Sequence, residues 1–457
     1  MTRRLPPVIA AAALLGLISP AAAGASRFER IKGFDEPQTP AKYDRVGILE
    51  IGKKKAPNVL VLNPGTSGSA AYFAPLAKTI TKAAANWQVW TVERRENLLE
   101  DHSVANQAKS GDATPKRLFD YYLGWLNDGS VTDHFEPIPD SEVEFAKRWG
   151  MRTEIGDLRR VVRVARKGGR RVVMGGHSLG GTITTAYATW DFNGAPGAKG
   201  LDGLVFIDGG SGAPGISRKE ARQSLDDLAA GSPWLAFGGI ASPLAGLFNI
   251  VAAELVKLEP DAPSRLGEWE LLPENLRAPF PVTNEAGYGY ALDTATSPAE
   301  LSAAQAHLGR FAPSGDPRPW DDSGELTPIE RYADMFAGTG FKGLDGTAWY
   351  HPLRLTLDGR TVAGGNANPA QGVMDVRAIH GDDLPKRLQI YAFGASLGGQ
   401  RVLDAAKALA KQSGIPRKQV KLVNRAKTYS HNDPNSAAPK NAFVKYLLPF
   451  LRRVAAR

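Results

Sequence analysis

Two stretches of the chain carry the same serine-bearing pentapeptide. RRVVMGGHSLGGTITTAYATW, from Arg170 to Trp190, sets Ser178 between Gly176 and Gly180, and RLQIYAFGASLGGQRVLDAAKAL, from Arg387, sets Ser396 between Gly394 and Gly398. Each is an apolar run, a Gly-x-Ser-x-Gly and then a helix-forming run. A serine hydroxyl is a weak nucleophile, so it needs a base for its proton and backbone N–H groups for the oxyanion that forms. A strand that turns abruptly into a helix meets both needs: it thrusts the side chain out at the end of the sheet and aims helix N-terminal amides at the reacting carbonyl. The turn is tight enough that residues two positions either side must be small. Ser178 and Ser396 meet this local test equally well, and either is also readable as a turn made small for close packing.

The elements that would position them follow an alternating pattern from Asp44 onward. Asn58 to Leu62, Gln88 to Val92, Arg171 to Met174, Leu204 to Ile207, Leu388 to Ala392 and Val420 to Asn424 read as short buried strands, separated by helix-like runs. One such run has Leu158, Val161, Val162 and Ala165 at helical spacing before Gly168 and Gly169; the last has Phe443, Tyr446, Leu447, Phe450 and Val454 on one face. The pattern predicts an α/β fold with a mainly parallel sheet flanked by helices. It breaks once, between Ser211 and Pro385, too long a stretch for a structureless loop and therefore expected to be an inserted cap. Within it LRLTLDGRTVAG predicts a hairpin turning at Asp358 and Gly359, and ELTPIERYADMFAG a helix. The run from Trp234 to Ala253 lacks charge but contains three glycines and a proline. It reads as a buried or substrate-facing lid segment rather than a membrane span.

At this point the sequence resembles the α/β-hydrolase superfamily over residues 44 to 210 and 386 to 457. The resemblance implies a nucleophile, an acid and a base in that order on successive strand ends. After Ser178 come GLVFIDGGSG, a strand ending at Asp208, and later VKLVNRAKTYSHNDPN, a strand followed by His431; after Ser396 only one strand remains. Ser178 is thus the expected nucleophile, His431 the base and Asp208 the acid, with Asp404 and Asp433 as the other acids in view. Placing the acid at Asp208 departs from the commonest arrangement of the superfamily and matches its minority one. NVLVLNPGTSGSAAYF looks like the loop that supplies one oxyanion donor, which the family pattern puts on Thr66, with the other on Leu179. Glu93, Arg94 and Arg95, after the next strand, read as flanking the pocket or as solvated or structural residues.

Composition narrows the function. MTRRLPPVIAAAALLGLISPAAAGAS has the basic start, short apolar stretch and small residues of a signal peptide over 1–25, cleaved after Ala23 or Ala25, so an exported, secreted or cell-envelope protein is expected. The rest divides into core (26–210), cap (211–385) and core (386–457). With no cysteine, thiol catalysis and cysteine metal sites are excluded. The net charge of +9 is scattered rather than gathered, which does not suggest nucleic acid. Neither a metal nor an organic cofactor is expected. The reading is a serine hydrolase acting on a small-molecule or lipid-like carboxylic ester, with Trp234, Phe237 and Phe248, and beside them Leu235, Leu244 and Leu247, lining an acyl pocket. The alternatives are an exported peptidase or amidase, whose substrate amine could meet Glu254, Glu259, Glu268 or Glu270, and a non-catalytic binding protein of the same fold.

Overall fold

The computed structural model describes residues 26–457 apart from 213 and 238–239, so the expected signal peptide lies outside the described residues. Ten strands are found: β1 (Ser26–Lys32), β2 (Arg45–Ile51), β3 (Asn58–Asn63), β4 (Trp87–Glu93), β5 (Arg171–His177), β6 (Gly203–Ile207), the two-residue β7 (Arg310–Phe311) and β8 (Trp320–Asp321), β9 (Gln389–Gly394) and β10 (Val420–Asn424). Eight of them form one sheet in the order β1-β2-β4-β3-β5-β6-β9-β10. Only the β1–β2 and β2–β4 pairs are antiparallel. From β4 to β10 every pair is parallel, so all those strands deliver their C-terminal ends to one edge.

Side chains alternate across the sheet as the period of a strand requires. Leu60, Leu62, Val89, Val173 and Val205 face a core closed by the helices Ala74–Ala83 and Ala442–Ala455. Val59, Val61, Trp90, Val172, Met174 and Leu204 face the opposite core, closed by Met151–Ala165, Leu179–Thr189 and Gly399–Gln412.

The long segment between β6 and β9 is helical, with Leu244–Leu258 and Ile329–Ala337 as its main elements, and it carries the β7–β8 ribbon. ELTPIERYADMFAG contains the expected helix, at Ile329–Ala337. The hairpin expected at LRLTLDGRTVAG is instead a helix, Leu353–Gly359. Its buried residues, Leu355 and Asp358, are three apart as on one helix face, and Arg354 Nε reaches Asp358 Oδ1 at 2.7 Å one turn on. A five-residue alternation is too short to separate the two periods, and here the salt-bridged helical one prevails. From Leu353 to Leu384 the segment packs back beneath the sheet, with Leu355, Val362, Met374 and Leu384 in the same core as Met151–Ala165.

Candidate active site

β5 ends at His177 and a helix begins at Leu179; Ser178 joins them with φ 55° and ψ −125°. A non-glycine residue in that region costs about 1–3 kcal/mol and persists only where its surroundings hold it. Here the Ser178 N–H donates to the Ile207 carbonyl (3.0 Å) and its own carbonyl accepts from Gly181 (2.9 Å). The glycines make the space. A Cβ on Gly176 would meet the Gly180 backbone, one on Gly180 the Asn63 carbonyl, and one on Gly209 the backbone of Ser178 itself. A Cβ on Gly65 would stand 2.9 Å from Ser178 Cβ, so Pro64-Gly65 brings the following loop right up to the serine.

Asp208, one residue past β6, is strained as well, with φ 45°. Its Oδ2 accepts from His431 Nδ1 at 2.7 Å and from the Leu397 N–H at 3.2 Å. Its Oδ1 accepts from the N–H groups of Ala395 (2.6 Å), Gly398 (3.0 Å) and Gly399 (3.0 Å). The second pentapeptide therefore presents backbone rather than a side chain: its turn wraps four amides around a neighbouring strand's carboxylate, at a helix N-terminus where negative charge is favoured. Ser396 is exposed and does not border the cavity described below. Burial acts most strongly on Asp208 and would raise its pKa, but the hydrogen bond and charge of His431 and the Gly398 and Ala395 amides outweigh it and hold the carboxyl down at about 2.

His431 is fully buried in the loop after β10. Because the Asp208 carboxylate can only accept, the imidazole proton sits on Nδ1, which leaves Nε2 a bare acceptor with no partner among the described residues. Ser178 and His431 border the same cavity. His177, beside the serine, turns into the protein and donates through Nε2 to the His431 carbonyl (2.9 Å), while its Nδ1 meets the Tyr72 hydroxyl (2.9 Å). Burial, and then the charge of His431, push the His177 pKa well down, so it holds the loop as a neutral ring. Tyr72 also donates to Asn432 Oδ1 and accepts from Asn435 Nδ2 (2.9 Å).

The other acids stand elsewhere. Asp404 is exposed on its helix and accepts from Gln400. Asp433 is fully buried and ties the His431 loop to the inserted segment through His307 Nδ1 (2.6 Å) and Thr327 Oγ1 (2.8 Å).

Thr66 lines the cavity, and no hydrogen bond within the described residues uses the N–H of Thr66 or of Leu179. The Thr66 loop is fastened from behind by Arg94, a residue whose role the sequence did not reveal. Its guanidinium donates to the carbonyls of Pro64 (3.1 Å), Gly65 (3.0 Å) and Gly68 (2.9 Å) and pairs with Glu96 (2.8 Å). Arg94 is 1% exposed, so it is neither solvated nor in reach of the cavity. Arg95 pairs with Asp157 (2.6 Å) and Asp44 (2.7 Å), and Glu93 accepts from the Ala70 N–H (2.7 Å).

The cavity holds about 230 Å³ and is walled chiefly by apolar groups of the inserted segment, among them Phe237, Ile240, Phe248, Leu255, Leu276, Val282 and Leu292. Phe237 and Phe248 are where the sequence expected them. Trp234 is not: it is buried with its ring 5.2 Å from that of Tyr350 and 6.4 Å from that of Trp149. Leu235, Leu244 and Leu247 do not border the cavity either. The helix Leu244–Leu258 turns Phe248, Asn249, Ala252 and Leu255 to the cavity and Leu247, Ile250 and Val251 to a core shared with Trp349 and Tyr350. A helix uncharged over its first ten residues thus serves two apolar environments, and its sequence does not say which face meets which.

No protein-family model and no curated protein sequence matches the chain. Among solved structures it is similar to a Sulfolobus solfataricus protein assigned as a lipase, at 15% identity, covering 94% of this chain and 95% of that one with a TM-score of 0.47. It is also similar to a carboxyl esterase from Bacillus coagulans (13% identity, 94% and 99% covered, TM-score 0.39). A third is the thioesterase domain from the curacin biosynthetic pathway (12% identity, 93% and 99% covered, TM-score 0.39). These likenesses are distant, whereas the strand order, the strained turn at Ser178 and the placement of Asp208 and His431 on later strand ends are features of the chain itself. The chain has the α/β-hydrolase fold.

Proposed function

We propose that the protein is an exported serine hydrolase that cleaves a hydrophobic carboxylic ester through Ser178, His431 and Asp208. The observation that carries this reading is the His431 imidazole, hydrogen-bonded through Nδ1 to Asp208 at 2.7 Å and bare at Nε2, in a residue that borders the same cavity as Ser178. In this mechanism Nε2 takes the Ser178 hydroxyl proton as Oγ attacks the ester carbonyl, and Asp208 stabilises the imidazolium that results. The Thr66 and Leu179 N–H groups receive the oxyanion. The proton then passes from Nε2 to the departing alcohol, and water repeats the sequence to free the acid from Ser178.

The predominantly apolar cavity wall supports a hydrophobic acyl group over a charged one. The carboxylates expected to anchor a substrate amine stand away from the cavity, whose wall carries Glu300 instead. Glu254 pairs with Lys109 (3.4 Å), Glu259 pairs with Arg265 (2.6 Å), and none of Glu254, Glu259, Glu268 and Glu270 borders the cavity. In this reading residues 1–25 are the cleaved signal, 26–210 and 386–457 the catalytic core, and 211–385 the cap. No described helix is long and apolar enough to cross a membrane.

Covalent labelling with a fluorophosphonate tests the reading. The wild type and Ser396→Ala should label and turn over p-nitrophenyl esters alike. Ser178→Ala should lose labelling and fall on the order of 10⁴ to 10⁶-fold in kcat, as loss of one member of a triad does. Labelling that survives in Ser178→Ala and vanishes in Ser396→Ala would reverse the assignment.

A further inference from the structure

A second group of chemically able side chains gathers away from Ser178. Glu100 and His102 follow β4, Asp345 lies in the inserted segment, and one potential ligand atom from each falls within 4.8 Å of the others. The side chains of Glu100 and Asp345 are 0% and 2% exposed, and that of His102 is 10% exposed. His102 Nε2 stands 3.0 Å from Glu100 Oε2. Its Nδ1 faces Asp345 Oδ2 at 3.5 Å, buried and without a hydrogen bond. A neutral imidazole has one proton for these two carboxyl groups, so one ring nitrogen faces a carboxyl oxygen without a hydrogen bond of its own to give. Such a buried set is costly unless a further proton or a cation joins it, and a site of this donor set can take either. Lys109, a neighbouring base, is already committed to the Leu344 carbonyl (2.8 Å) and to Glu254 (3.4 Å).

The carboxylate oxygens are held in turn, as those of ligating carboxylates usually are. Glu100 Oε1 accepts from the Trp349 N–H (2.8 Å), Asp345 Oδ1 from the Thr347 N–H (2.8 Å), and Asp345 Oδ2 from Trp349 Nε1 (3.0 Å). We propose that Glu100, His102 and Asp345 bind a divalent transition ion, zinc before others. One imidazole nitrogen with two carboxylate oxygens suits zinc, whereas calcium and magnesium favour oxygen alone. Ligands at ~2.0–2.2 Å from one tetrahedral ion stand ~3.3–3.6 Å apart, so side-chain rotations that move these atoms by about an ångström close the triangle.

Such an ion would fasten a wall of the cavity. The stretch holding Asp345 runs beside the Thr66 loop, the Ala348 N–H donating to Ser67 (2.8 Å) and the Ser69 N–H to Gly346 (3.3 Å), and its Thr347 and Trp349 border the cavity. The ion's part is structural, and the inference stands whether or not the ester reading does.

The test uses the whole mature chain, stripped with EDTA and dialysed, then titrated calorimetrically with Zn²⁺, Mn²⁺ and Ca²⁺, with Tm followed in parallel. Wild type should take up about one zinc per chain and gain Tm. His102→Gln and Asp345→Asn should weaken zinc binding at least as much as the ~10 to 100-fold that loss of an outer-shell partner costs. The wild-type titration needs no variant to fold. Absence of zinc binding and of any Tm change in the wild type would overturn the proposal and leave the cluster joined by protons alone. Equal zinc affinity in a folded His102→Gln would place the ion elsewhere, and tighter binding of Ca²⁺ than of Zn²⁺ would refute the ion class.

Discussion

Asp208 shows how much a single carboxylate depends on where its amides come from. Four backbone N–H groups and one imidazole N–H converge on its two oxygens. An Asn there would set its NH₂ against N–H donors or against the His431 ring, and would free the imidazole to take the wrong tautomer. Asp208→Asn should therefore keep the fold and lower kcat/KM for an ester by roughly 10³ to 10⁴, and Asp404→Asn should change little; equal losses in both would remove Asp208 from the proposed triad. The pH dependence has a definite sign. Held at about 2, below the ordinary 3.8, the Asp208 carboxyl contributes stability that is present above 3.8 and lost as pH falls through its folded value, on the order of 2 kcal/mol in all. At this scale the strand-end positions of Ser178 and Asp208 and the loop position of His431 were legible because strands, glycines and chain order mark them. Arg94 was not. Nothing in a residue type announces that its guanidinium turns inward to hold a loop some thirty positions earlier.

Elements were legible where burial is one-sided and long, and misread where a short pattern fits two periods. The parallel strands stood out as apolar runs, but β1 was missed: SRFERIK is an edge strand whose charged residues obscure its apolar ones. The misread hairpin at Leu353–Gly359 and the misplaced Trp234 share a cause, since each run is apolar enough to satisfy more than one neighbour. The second Gly-x-Ser-x-Gly could have been understood from its place after the strand beside β6, because a helix N-terminus next to a strand-end aspartate is an anion site with the anion supplied. The helix Met151–Ala165 carries a separate liability on its buried face. Glu154 is buried there with Oε1 unpartnered, and burial above all raises its carboxyl to about 8 despite Arg94 nearby. A raised carboxyl favours the folded state fully below the ordinary 4.5, and that contribution is lost as pH climbs through about 8. Glu154→Gln keeps the shape and removes the titration. Its Tm relative to wild type should improve steadily from pH 5 to pH 8.5, and a constant difference across that range would show that Glu154 is not protonated in the fold.

At the scale of the whole molecule, the sheet brings Ser178, Asp208 and the His431 loop to one edge, and the segment between β6 and β9 covers that edge. That cover is bonded to the core and not merely laid on it: Asp433 reaches His307 and Thr327, Tyr72 lies against Phe336, and Ala348 pairs with Ser67. The sequence marked the long break between β6 and β9 but not which of its side chains wall the cavity, because which helix face meets the cavity is decided by packing against Trp349 and Tyr350 far along the chain. If this roof is the acyl site, each methylene that moves from water onto it contributes up to ~0.8 kcal/mol, so kcat/KM should rise up to several-fold per carbon until the cavity is filled. Phe237 and Phe248 border that space, while Trp234 lies behind it. Phe237→Asp and Phe248→Asp should thus flatten the rise while acetate esters still turn over. Trp234→Phe, which trims a core contact outside the cavity, should lower Tm and leave the slope against chain length intact. A slope unchanged in both Asp variants, with circular dichroism still native, would mean that acyl chains bind elsewhere and that the apolar roof has another use.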